Sequence, residues 1–431
     1  MLHGDLQDNE YCVLGTATRD YALAVPVALS LDDRRRHLHL IGKTGTGKTT
    51  LLRKLVYDDL ASGRNFAVLD PLGGLAEAII DAMPVWRNDE AIYFDPSDLE
   101  HPVGFNPLDR VAPDMRHLVA DHVVSAFMHI WGASLEDTPR LVYVLYNSLR
   151  LLLDNPGSTL LGLPRLLVDD RYRKRLLKSC TDPVVRGYWE NEFAAYDDRF
   201  RAQVIGPVQN KVGMLLSPPG LRLIIGQPRS TITIGRLMNE GGILVANLAK
   251  GKIGATASHL LGAFLATTIA QIAEERAAIP FETRRDFTLY ADEIGNIATE
   301  SFAQTLSEAR NWRLMCVLAH QHLSQLPRRL QDSIIANCGN YIVFRIGAQD
   351  AEIMAAELGI DNTRALSDAR NFTAWAKLLQ AGNPTDAFML DTALPEPPER
   401  GRAAAVLAHT RARHTRVRAA VERMIARQQT D

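Results

Sequence analysis

A chain of 431 residues, 46% apolar and 23% charged with a formal net charge of −2, can bury a large core. That balance excludes a disordered or fibrous chain and predicts one large domain with an insertion, or two domains. Four cysteines, Cys12, Cys180, Cys316 and Cys338, lie far apart without a C-x-x-C, which predicts reduced thiols and no zinc site in a cytoplasmic protein. The opening MLHGDLQDNE has neither a basic start nor an apolar core segment, so no signal peptide is expected.

In chain order, residues 1–36 read as a short β-rich lead-in, with VPVALSL followed by DDRRR. The run HLHLI (37–41) passes through GKTGTGKT into the apolar-periodic helix LLRKLVYDDL. Two strand candidates, FAVLDP (66–71) and AIYFDP (91–96), flank a helix near 74–82. From 112 to 205 strand-like runs are scarce. Val119, Val123, Phe127 and Ile130 recur at helical spacing, as do Leu141, Leu145, Leu149 and Leu152, which predicts an all-helical insertion. Strand runs resume at GILVANL (242–248), FTLYADE (287–293), LMCVLAH (314–320) and YIVFRIG (341–347). Strands alternating with helices predict an α/β fold with a doubly wound, mainly parallel sheet over 37–111 and 206–393. LPEPPERG (394–401) reads as a linker, so 394–431 becomes a linker and a basic C-terminal helix. From Arg400 onward the tail carries a net charge of +6, which suits either a solvated helix or contact with nucleic acid. Ile253–Ala273 contains no Asp, Glu, Lys or Arg. Its Ser258, His259, Gln271, threonines and glycines, and the strand before it, predict a buried helix rather than a membrane span.

Residues 42–49 match G-x-x-x-x-G-K-[ST] in full, between a strand and a helix. In such a loop Gly42, Gly45 and Gly47 let backbone N–H groups face phosphate oxygens at a helix N-terminus. Lys48 is expected at the β/γ-phosphates and Thr49 on Mg²⁺. Lys43, Thr44, Thr46 and Thr50 complete the nucleotide-binding candidates. A phosphate loop needs acids on a neighbouring strand, and LYADE ends in Asp292, a candidate Mg²⁺ ligand, and Glu293, a candidate to orient or deprotonate the attacking water. Asp70, closing FAVLDP, either reaches that water or caps the turn at Pro71–Gly74.

In SEARNWRLMCVLAHQ (307–321), Arg310 and Gln321 bracket an apolar strand. Ligands of open parallel sheets bind beyond the carboxyl ends of the strands, so Gln321 should face the phosphate rim as a γ-phosphate sensor. Arg310 lies roughly 20 Å away at the other edge. It is then either a solvated helix-end arginine or a group serving a neighbouring subunit's ATP.

With these residues in hand, the chain resembles the HerA/FtsK superfamily of P-loop motors, most closely the TraG/TraD/VirD-type coupling ATPases of conjugation. The likeness is carried by IGKTGTGKTTLL, VLDPLGG, FDPSD with GFNPLD, GGILVANLAKGKIG, LYADEIGNIA, LSEARNWRLMCVLAHQHLSQLP and IIANCGNYIVFRIGAQDAEIMAAELG. It spans roughly residues 36–390 and includes the helical insertion, which resembles the family's all-α domain. The resemblance implies a RecA-like domain, ATP and Mg²⁺ as cofactors, a ring, typically hexameric, with ATP between subunits, and DNA in the channel. It implies that Arg310 is the arginine finger, Arg345 the second finger candidate, and that Lys250 and Lys252 could line the pore, a surface loop being the alternative. Two departures are visible: no membrane anchor of the coupling-protein kind, and too short a lead-in for the full β-barrel of HerA proteins. The expected function is therefore a soluble, DNA-translocating ATPase, with no membrane insertion by this chain. The alternative is an ATP-dependent scaffold or regulator of a partner effector such as a nuclease in antiphage defence or DNA processing; a nuclease or a secretion component is the partner to expect. A small-molecule kinase or GTPase fits less well, because 244 residues separate Lys48 from Asp292.

Overall fold

The computed structural model describes residues 10–19, 23–132 and 138–430. The strands among these residues are β1 (Tyr11–Arg19), β2 (Leu23–Ser30), β3 (Leu38–Ile41), β4 (Asn65–Asp70), β5 (Ala91–Phe94), β6 (Ile243–Asn247), β7 (Phe287–Ala291), β8 (Leu314–His320), β9 (Asn340–Val343), β10 (Thr373–Lys377), the two-residue β11 (Leu379–Gln380) and β12 (Asn383–Pro384), and β13 (Phe388–Thr392). All but β11 and β12 join one sheet in the order β2-β1-β13-β10-β9-β3-β8-β7-β4-β6-β5. The six strands from β9 to β6 run parallel. The strands β10, β13, β1 and β2 continue the sheet antiparallel. In β3, β6, β7, β8 and β9 every residue is buried. Helices cover both faces of a parallel sheet, which is why these strands read as unbroken apolar runs rather than alternating ones. The α/β fold with a mainly parallel sheet flanked by helices is what the sequence predicts.

Two compact units emerge. The first comprises Met1–Tyr93, Ile234–Asn247 and Ile269–His409 and contains the sheet apart from Phe94. The second comprises Phe94–Thr233, Leu248–Thr268 and Thr410–Asp431. The helical run expected over 112–205 contributes helices at Arg116–Trp131, Pro139–Leu153 and Asp198–Leu215, among shorter ones. Their core includes an aromatic cluster in which Trp189 and Phe193 sit 4.7 Å apart with Arg173 over the Phe193 ring at 4.9 Å. The second unit also takes in the end of the basic tail. There Arg411 pairs with Asp98, and Arg418 with Glu100 and Glu422, so part of the tail's charge is neutralised within its own unit.

A helix occupies Ala255–Glu275. The segment Ala255–Ala278 is long and apolar enough to cross a membrane, but 67% of its most apolar stretch is buried inside the fold, as in a core helix. All four cysteines are free and buried.

Candidate nucleotide site

The site starts from the turn between β3 and the helix Lys48–Ala61. Six residues must reverse the chain and leave its amides facing outward. Gly45 (φ 77°) and Gly47 (φ 124°) adopt backbone angles that side chains disfavour. Gly47 sits at the helix N-cap without a side-chain capping bond, which leaves the first-turn N–H groups open to an anion. A Cβ on Gly42 would lie 2.5 Å from the Phe344 Cβ, so the loop's first position also excludes a side chain. Lys48 donates from Nζ to the carbonyl oxygens of Gly42 and, at 3.2 Å, Lys43. Burial lowers its pKa, while Glu293 and Asp292 pull the other way. Thr46 donates its hydroxyl to the Lys43 carbonyl at 2.7 Å, which ties the loop across its base. Thr50 follows in the first helical turn.

Register brings the acids to the same rim. Ile41 lies opposite His320, Ala291 opposite Leu318 and Leu69 opposite Ala291, so β3, β8, β7 and β4 end together. Just past those ends stand Gly42, Gln321 and Asp292, and Asp70 closes β4 itself. Thr49 donates to the Asp292 carboxylate at 3.0 Å. Burial, with Asp70 and Glu293 nearby, pushes the Asp292 pKa up to about 6, against the opposing Thr49 hydrogen bond and the Lys48 charge. Glu293 takes a left-handed backbone (φ 56°, ψ 56°), rare for a non-glycine residue, and its carboxylate accepts the Gln321 amide at 2.8 Å. Gln321 in turn accepts the Thr44 hydroxyl at 3.1 Å, so it bridges the phosphate loop to the second acid.

Gln325, which no motif marks in the sequence, completes this ring. Its Oε1 accepts the backbone N–H groups of Gln321 (3.0 Å) and His322 (3.3 Å), and its Nε2 faces Glu293 at 3.5 Å. Beneath Gln321, the buried side chains of His320 and His39 meet Nε2 to Nε2 at 2.6 Å. The His320 Nδ1 lies 3.1 Å from the His322 carbonyl, which can only accept, so Nδ1 carries that ring's proton and His39 donates between the rings. Burial lowers both pKa values, His320 to about 4, and the pair is neutral. Neither histidine carried a sequence signal, because their pairing depends on the register of β3 against β8.

Asp70 caps the turn that follows β4. Both of its oxygens accept backbone N–H groups, from Leu72 and Ala76, each at 2.9 Å, and the residue is 0% exposed. Its charge still acts on Asp292. Arg310 lies in the turn Ala309–Trp312 ahead of β8, exposed, at the edge away from the phosphate loop. Arg345 stands elsewhere: it follows β9, and its carbonyl accepts the Lys43 N–H at 2.8 Å, beside the chain's own loop. Lys250 and Lys252 occupy a short helical turn, Lys250–Ile253, after β6 and in the second unit.

An open cleft of about 580 Å³ adjoins the loop, lined among others by Lys43, Thr44, Gln321 and Asp350. The donor set fits a nucleoside triphosphate with a divalent cation. The open amides and Lys48 match phosphate oxygens, and the hydroxyl–carboxylate pair of Thr49 and Asp292 matches a hard cation. Among the described residues no cluster of three or more His, Cys, Asp or Glu is suited to a metal, so the candidate cation site rests on the Thr49–Asp292 pair.

Comparison with known proteins agrees with this geometry. Residues 286–382 match the family model described as the TraM recognition site of TraD and TraG. The unbound bacterial conjugative coupling protein TrwBdeltaN70 superposes with a TM-score of 0.63 at 18% identity, covering 90% of this chain and 94% of that one. The plasmid coupling protein TrwB in complex with ADP and Mg²⁺ gives a TM-score of 0.64 at 18% identity, with 91% and 97% covered. VirB4 of Thermoanaerobacter pseudethanolicus gives 0.57 at 14% identity, with 90% and 98% covered. None of the curated proteins matches the sequence. The chain thus has the P-loop fold of the conjugative coupling proteins, and its residues 286–382 match the segment shared by TraD and TraG.

Proposed function

We propose that the protein is an ATP-hydrolysing motor that moves DNA, working in the cytoplasm as a ring, most simply of six copies, in the manner of conjugative coupling ATPases. The observation that carries this reading is the split between the two ends of β8. Gln321 sits on the phosphate rim, hydrogen-bonded to both Thr44 and Glu293, while Arg310 stands exposed at the far edge. A strand of seven residues separates them by roughly 23 Å, so Arg310 cannot serve its own phosphate loop but can complete a neighbour's. Lys48 and the loop amides bind the triphosphate, and Thr49 and Asp292 hold Mg²⁺. Glu293 orients and deprotonates the attacking water, and Gln321 reports the γ-phosphate. Lys250 and Lys252 are the candidates to touch DNA. The TrwB complexes with the non-hydrolysable ATP analogue ADPNP and with ADP and Mg²⁺ support the cofactor assignment.

The test is DNA-stimulated ATP hydrolysis by the full chain and by mixed variants. Lys48→Ala should abolish turnover. Arg310→Ala should keep ATP binding but slow hydrolysis about 10³-fold or more. Mixing Arg310→Ala with Glu293→Gln chains should restore part of the rate, because some interfaces regain one complete set. A mixture no more active than its components would sink the assignment between subunits.

A further inference from the structure

We propose that Phe372 is the platform on which the base of the bound nucleotide stacks, an inference that rests on the ATP-binding reading above. Single exposed apolar residues are ordinary on protein surfaces. Phe372 combines its exposure, 45%, with a left-handed backbone (φ 63°), a conformation that bulky side chains disfavour. Glycine or asparagine would take that angle with less strain, so the ring is kept against a local preference.

The strained residue is held firmly, and it is held to the phosphate loop. Its N–H donates to the Thr46 carbonyl at 2.7 Å, and its own carbonyl accepts the N–H and the hydroxyl of Thr392, each at 2.9 Å. A Cβ placed on Gly47 would come within 3.2 Å of the Phe372 Cδ1, so the ring edge lies against the loop at the helix N-cap. β10, which Phe372 leads into, brings it there by pairing with β9 beside β3.

Sheet order then says which end of a nucleotide this ring meets. The groups suited to the γ-phosphate, Glu293 and Gln321, follow β7 and β8, on one side of β3. Phe372 stands on the opposite side, where β9 and β10 lie. A triphosphate laid along the loop with its γ end toward Glu293 directs its nucleoside toward Phe372. Every base presents a π-face, so a stacking contact adds affinity while discriminating little between adenine and guanine.

The experiment titrates ATP, GTP and inorganic tripolyphosphate into the full chain and into Phe372→Asn and Phe372→Trp, with binding followed by calorimetry. Asparagine keeps the backbone angle and removes the ring. Phe372→Asn should weaken ATP and GTP alike by roughly 5- to 100-fold and leave tripolyphosphate within about twofold, since stacking is the contact removed. Phe372→Trp should restore nucleotide affinity, and its indole fluorescence should change when ATP binds. Unchanged ATP affinity in Phe372→Asn would overturn the proposal. So would a parallel loss of tripolyphosphate binding, which would make the ring only a prop for the loop. A wild-type chain that binds neither ATP nor tripolyphosphate would instead bring down the nucleotide reading itself.

Discussion

Asp292 and Asp70 show how single side chains store the charge the site needs. Burial and two acidic neighbours hold the Asp292 pKa at about 6, above its ordinary value of 3.8. The folded chain therefore binds a proton more tightly than the unfolded one, and ionising Asp292 costs stability as pH rises from about 4 to about 6. Below that window the cost is absent, and above it the cost is fully present unless a cation offsets it. Asp292→Asn should accordingly raise the thermal midpoint at neutral pH without Mg²⁺ by about 2–6 °C, while removing the stabilisation that Mg²⁺ gives the wild type. An equal or lower midpoint, measured by scanning calorimetry, would show that Asp292 is not ionised under strain. Glu293 is strained differently, through its backbone, and the amides of Gln321 and Gln325 hold its carboxylate while the left-handed turn sets its direction.

Between elements, the decisive contact is buried. Asp59, on the helix that follows the phosphate loop, accepts both ends of the Arg34 guanidinium at 2.7 and 2.8 Å, Arg64 at 3.0 Å and the Tyr290 hydroxyl at 2.7 Å. One carboxylate thus joins the short helix Leu31–Arg34, the phosphate-loop helix and β7, the strand that delivers Asp292. Removing it would leave the Arg34 charge buried without its partner. Asp59→Ala should cost about 3–5 kcal/mol of stability, read from the urea midpoint, although the residue touches no part of the candidate site. A loss below about 1 kcal/mol would mean that Arg34 finds water or another acceptor. None of this was legible in LVYDDLASG, where Asp58 and Asp59 look alike. The helix turns one toward Lys54 near the surface and the other into the core.

The same division runs through the whole chain. Apolar runs and turn chemistry marked the parallel strands, because each is buried on both faces, and GKTGTGKT and LYADE announced themselves through local composition. What long-range pairing decides stayed hidden: the antiparallel extension through β10, β13, β1 and β2, the His39–His320 contact, and the approach of Gln325 and Phe372 to the site. The sequence boundaries at 112 and 205 mark only the most helical part of a unit that also takes in Leu248–Thr268 and the end of the tail. At this scale a motor whose site is completed by a neighbour should show hydrolysis per chain rising with chain concentration, from about 10 nM to 10 μM, as assembly proceeds. Its affinity for DNA should fall steeply between about 50 and 200 mM salt. A specific activity independent of concentration at low nanomolar levels would argue for a site complete within one chain.

The position of Arg310 and Gln321 at opposite ends of β8 has a genetic consequence. On the proposed ring reading each strand serves two interfaces, so a chain disabled at β8 should do more harm than its own share when it assembles with normal partners. Cells carrying one normal and one altered gene should then behave more like the mutant than like a half-dose of the wild type. Loss of the whole gene copy, by contrast, should be recessive.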